Sequence, residues 1–173
     1  MENMSNPKYK IDVTHGGNPL GSITIETFPE VAPKHATNFD NLVSEGFYDG
    51  TAFHRVIPGF MIQGGDPNSK TKPKNTWGFG DPTQKKVPAE FNSITHSRGI
   101  ISAARSQDPN SASSQFFLVT SDSKFLDNQY TVYGKVIEGI EIADKIVSVP
   151  RDRSDNPDEK VEMTITKLEE IED

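Results

Sequence analysis

The chain of 173 residues carries 18 basic and 25 acidic side chains, a net charge of -7, and no cysteine. That length fits one domain, residues 1–173, with a sizeable core, and the charge leaves no Lys/Arg block to neutralise a phosphate backbone, so no nucleic-acid partner is expected. Lack of thiols removes disulfides, thiolate nucleophiles and thiolate metal sites; with no apolar run of membrane-spanning length, no apolar signal region and Met1 retained, a cytoplasmic protein without membrane attachment is expected.

Along the chain, Tyr9, Ile11 and Val13 alternate with polar residues, as do Ile23 and Ile25, with Gly16-Gly17-Asn18-Pro19 between them. This predicts a β-hairpin. Ala32, Ala36, Phe39 and Val43 then lie on one helical face, with Pro33 suited to the first turn and Gly46 to the end. Short strands are expected near 52–57, 60–64, 99–103, 115–119 and 130–136. Between them, the long polar stretch 66–86 reads as a functional or mobile loop. A weaker helix is expected over 139–147, with Ile142 and Ile146 four apart, and a last strand holds Val161, Met163 and Ile165. About eight short strands with two helices suggest a mainly β protein, an antiparallel barrel with no exposed edges.

Familiar catalytic motifs are missing. Gly78 and Gly80 start a GxG that Thr83 interrupts, no GxSxG elbow or P-loop occurs, and His15, His35, His54 and His96 lack metal-ligand spacing. The acids read as a solvated surface, and no metal or cofactor is expected. What stands out is Phe53 to Pro67. There Arg55 sits among apolar residues, Phe60, Met61 and Ile62 form an exposed-looking run, and Gln63 precedes Gly64-Gly65, where a side chain would crowd a close backbone. Further apolar-plus-amide segments lie at 100–105, 113–117 and 124–130; in Gln115-Phe116-Phe117-Leu118 an outward phenylalanine must alternate with an inward one.

Phe53-His54-Arg55-Val56-Ile57-Pro58-Gly59-Phe60-Met61-Ile62-Gln63-Gly64-Gly65-Asp66 closely resembles the signature of the cyclophilins, peptidyl-prolyl cis–trans isomerases, above all bacterial members. The likeness continues through Asn38-Phe39, Tyr48-Asp49-Gly50-Thr51, Gly99 to Ala104, Ser114 to Phe117, Phe125-Leu126-Asp127 and Tyr133 to Val136, covering about 9–168 in order. It implies a closed eight-stranded antiparallel β-barrel with two capping α-helices, one over each open end, and an outer groove that binds Xaa-Pro segments of peptides and of unfolded or folding proteins. Within that groove it implies Phe60, Met61, Phe117 and Leu126 around the proline, and Gln63, Ala104 and Arg105 along the peptide. Arg55 is implied as catalytic, Gln115 in an adjoining subsite, Phe125 and Tyr130 at the rim, and His54 in support.

Three positions depart from the best-known eukaryotic members. Phe125 stands in place of a tryptophan, Tyr130 in place of a histidine and Arg105 in place of an asparagine. Losing the indole donor leads to an expectation of weak binding to cyclosporin, the family's cyclic peptide inhibitor. A monomer is expected. The competing reading is a non-catalytic chaperone or scaffold that holds proline peptides; a hydrolase is disfavoured by the missing nucleophile motif.

Overall fold

Alternation along the first strand sends Tyr9, Ile11 and Val13 inward while Lys10 and Asp12 stay in water, as the two-residue period of a strand requires. The computed structural model describes residues 6–169. β1 (Lys8–His15) pairs antiparallel with β2 (Asn18–Thr27), His15 opposite Asn18. The turn is thus only Gly16-Gly17, both with positive φ (57° and 85°), the geometry that matches strand twist in a two-residue hairpin. Asn18 and Pro19, expected in the turn, already belong to β2.

α1 (Pro33–Ser44) buries Ala36, Phe39 and Val43, with Ala32 buried at its N-cap, along the face expected from their spacing. No side chain of its own caps it. Instead the Glu90 carboxylate accepts the backbone N–H groups of Lys34 and His35 at 3.2 and 2.9 Å. The strands β3 (Phe53–Ile57), β4 (Met61–Gly64), β5 (Ile100–Ala103), β6 (Phe116–Val119), β7 (Val132–Glu138) and β8 (Val161–Leu168) each start one or two residues from their expected places or nearer. α2 (Asn68–Thr71), a single turn not foreseen from the sequence, lies in the long loop; α3 (Ile140–Val147) buries Ile142 and Ile146. Among the described residues no helix is long and apolar enough to cross a membrane.

The eight strands run in the order β3-β4-β6-β5-β7-β2-β1-β8, every pair antiparallel. The two ends meet just before β3, where Ala52 bridges Glu162 and Met163 N–H donates to Thr51 O at 2.9 Å. The barrel is nearly closed. α1 lies against β8, and α3 against β2, β3 and β4. Alternation then divides the apolar residues into two clusters. Ile62, Phe116 and Leu118 join Tyr9, Ile11 and Phe39 inside the barrel, whereas Met61, Phe117 and Val119 face outward with Ala104, Leu126 and Val132. The expected exposed run is therefore corrected: Met61 and Ile62 are both buried, on opposite faces of β4, and only Phe60 is partly open.

Candidate active site

One row across the sheet builds the site. Arg55 on β3 is the register partner of Gln63 on β4, Gln63 of Phe117 on β6, and Phe117 of Ser102 on β5. Adjacent strands lie about 4.8 Å apart, so these side chains stand shoulder to shoulder on the outer face. Arg55 Nη1 is 3.4 Å from Gln63 Oε1, Gln63 Nε2 donates to Gln115 Oε1 at 3.1 Å, and Gln115 Nε2 donates to Gly78 O at 3.1 Å. The guanidinium is exposed and has no carboxylate partner among the described residues. A surface ion pair is therefore not what holds Arg55 there.

Beside it opens a pocket of about 120 Å³ lined by Arg55, Phe60, Met61, Gln63, Ala104, Arg105, Phe117, Leu126 and Tyr130. Phe117 meets Tyr130 edge to face at 5.6 Å between centroids, and Leu126 and Met61 close the floor. Arg105 lines the pocket but is folded back. Its Nε and Nη2 donate to Gln129 O, its Nη1 to Ser106 O, and its Cζ lies 4.5 Å over the Tyr130 ring. Phe60, Met61, Phe117, Leu126 and Tyr130 thus give the pocket an apolar wall, with Gln63 and the Arg55 guanidinium at its polar edge.

Three expected residues lie outside this pocket. Gln115 lines a neighbouring cavity of about 290 Å³ that shares Gln63, Ala104 and Arg105. Phe125 is 67 % exposed and packs at a tilt against Phe60, 5.6 Å between centroids, a rim position. His54 is buried next to Arg55, in the wall of a further cavity that shares Arg55 and Gln63 with the pocket and also includes Trp77 and Asp152. Burial, and then the charge of Arg55, push the His54 pKa down to about 4. It is neutral at pH 7 and offers no acid–base chemistry to the groove.

Two parts of the site escaped the sequence reading. The long 66–86 loop delivers Gly78 to Gln115 and Phe79 to the ridge between the neighbouring cavities, held by Gly78 N–H donating to Asp66 Oδ2 at 2.6 Å. Behind Phe117 lies His96, fully buried, its ring within 14° of parallel at 5.9 Å. Its Nδ1 is 2.9 Å from Asp127 Oδ1 and its Nε2 2.9 Å from Ser102 Oγ, which donates to Thr131 O. Asp127 follows Leu126 directly, so this buried link ties one wall of the pocket to the other. Only the length of the 66–86 loop hinted at the first; nothing local to His96 hinted at the second.

With Arg105 turned onto backbone carbonyls and Phe60, Met61, Phe117 and Leu126 in the wall, this arrangement can seat a small apolar ring and present a donor from Arg55 to one edge. The family model described as cyclophilin type peptidyl-prolyl cis-trans isomerase/CLD matches residues 10–169. The chain is 43 % identical over 136 residues to a peptidyl-prolyl cis-trans isomerase of Acinetobacter baylyi, covering 76 % of this chain and 69 % of that one. To a peptidyl-prolyl cis-trans isomerase of Schizosaccharomyces pombe it is 41 % identical over 146 residues, covering 83 % and 90 %. Its fold is similar, with TM-score 0.78 and 31 % identity over 94 % of this chain and 99 % of the other, to a Cryptosporidium parvum cyclophilin type isomerase crystallised in the presence of the dipeptide Ala-Pro. The chain belongs to the cyclophilin-type peptidyl-prolyl cis–trans isomerases.

Proposed function

We propose that the chain accelerates rotation about Xaa-Pro bonds by seating the proline ring among Phe60, Met61, Phe117 and Leu126 and donating from Arg55 to the prolyl nitrogen. Peptide C–N rotation faces a barrier of about 18–20 kcal/mol because resonance gives the bond double-bond character. Twisting abolishes that resonance, and the nitrogen regains a lone pair. A donor aimed there stabilises the twisted state more than either planar state, the condition for catalysis. Arg55 stays protonated and need not exchange a proton, and the apolar walls hold the ring while the preceding carbonyl swings. Gln63, with Ala104 and Arg105, would hold the peptide chain; Gln115 would serve the adjoining subsite, Phe125 and Tyr130 the rim, and His54 would support Arg55 from behind. The related isomerase crystallised in the presence of Ala-Pro supports proline peptides as ligands.

The observation that carries this reading is an exposed guanidinium with no carboxylate partner among the described residues, at the lip of a small pocket walled by Phe60, Met61, Phe117 and Leu126. Arg55→Ala is expected to lower kcat/KM on an Xaa-Pro peptide, followed by NMR exchange, about 100-fold or more, the scale of losing a transition-state donor. Near wild-type turnover would sink the assignment. The non-catalytic holder predicts instead that only binding changes. We further propose that the chain works as one isomerase domain and monomer in the cytoplasm, assists folding of proline-containing clients, binds no nucleic acid, and binds cyclosporin weakly because Phe125 lacks an indole donor.

A further inference from the structure

A depression of about 410 Å³ runs between the first turns of α1 and the segment at 85–88. Pro33, Val87 and Pro88 form its apolar walls, Asn38 and Asn41 add amides, and Val87 is pinned by its N–H to Ala112 O at 2.8 Å. Lys34, Lys85 and Lys86 also line it, and no carboxylate does. In a chain of net charge -7 that is a local reversal of sign. These three are exposed and take no ion pair among the described residues; Lys8, Lys70, Lys72, Lys124 and Lys145 take none either, but only Lys34, Lys85 and Lys86 line this depression. The acids that flank the segment are engaged internally. Asp81 accepts from Thr83 N–H and Oγ, and Glu90 from the N–H groups of Lys34 and His35.

This depression adjoins the cavity beside the proline pocket. Lys86 also lines the cavity of about 290 Å³, which in turn shares Gln63, Ala104 and Arg105 with the proline pocket. A peptide seated by its proline and leaving across Ala104 therefore passes Lys86 and comes to Lys34 and Lys85. We propose that this depression selects substrates by holding an acidic flank, Asp or Glu side chains some residues from the isomerised bond. The inference rests on the isomerase reading given above and names the class of client it favours. Three ammonium groups beside apolar walls complement a carboxylate-bearing segment, while the chain's net charge of -7 disfavours a long polyanion such as nucleic acid.

The test uses peptides with one central Xaa-Pro bond and a block of three Glu, or of three Gln, on one flank or the other. The block sits about three to eight residues away, roughly 10–28 Å of extended chain. On one flank, Glu is expected to lower KM and Kd about 3- to 10-fold at low salt, the scale of a few exposed charge pairs. The amide resonances of Thr37, Asn38, Asn41 and Val87 are expected to shift with it. The preference should vanish at about 0.5 M salt, where charges are screened within a few ångströms, and in Lys34→Gln/Lys85→Gln, with the Gln peptides turned over as before. Equal binding of the Glu and Gln peptides, or a preference that survives the double substitution, would overturn the proposal; so would displacement by a short oligothymidylate as readily as by the Glu peptide. Wild type that binds the peptides without turning them over sinks the isomerase reading, while the binding preference still decides this one.

Discussion

Arg55 and Gln63 face each other across the β3–β4 ladder, Nη1 to Oε1 at 3.4 Å, and Gln63 spends its other end on Gln115. The contact is long and exposed, so it orients the guanidinium without consuming its remaining donors. Gln63→Leu keeps the size but removes both bonds. We expect kcat/KM on an Xaa-Pro peptide to fall about tenfold, the scale of a hydrogen bond to a charged group, with the urea midpoint little changed. Activity equal to wild type would mean that Arg55 needs no such guide.

Acid should weaken the fold through His54. Its pKa is about 4 in the native state against an ordinary 6.5, burial being the main cause and Arg55 the second. Between roughly pH 6.5 and 4 the unfolded chain therefore binds a proton that the native chain does not. The contribution is complete above that window, falls as pH drops through it, and is flat below; at most it is about 3 kcal/mol. Urea midpoints measured across the window are expected to fall less steeply in His54→Gln than in wild type. Parallel curves would refute the assignment.

Gly64 lies where β4 passes the turn before β3. A Cβ there would stand 2.6 Å from Ala52 O and 3.0 Å from Phe53 Cα, both backbone atoms that cannot swing aside. Gly64→Ala is expected to lower unfolding free energy by about 1–3 kcal/mol, the usual cost of overpacking. Thermal and urea unfolding give the check, and an unchanged midpoint would contradict the close approach.

Phe125 packs at a tilt against Phe60 at the groove rim and offers no hydrogen-bond donor. Calorimetry with cyclosporin is expected to show weak binding by the wild type and a gain of about tenfold in Phe125→Trp, the value of one restored hydrogen bond. Nanomolar binding by the wild type would contradict the expectation.

Much of this was readable from local pattern. A period of two in Phe116-Phe117 and in Met61-Ile62 forces neighbours onto opposite faces, and the fold indeed sends Phe116 and Ile62 to the barrel core and Phe117 and Met61 to the groove. The same rule did not tell which face was wet, so Met61 and Ile62 looked exposed and are not. Gly64 was legible as a close approach, since only a missing side chain explains a glycine inside a strand. The order of signature residues placed nine of the twelve expected site residues around one pocket.

What the residues could not reveal depends on which distant segments meet. Gln63 and Gln115 are 52 positions apart, His96 and Asp127 31, and Lys34 and Glu90 56. Strand alternation, helix faces and turn glycines arise from sterics within a few residues, so Phe53 to Pro67 announced an arginine beside apolar groups before any fold was known. Hydrogen-bond partners across the barrel arise only after the chain has closed long loops. That closure set Gln63 between Arg55 and Gln115, folded Arg105 back onto Gln129, and left Lys34, Lys85 and Lys86 around one depression.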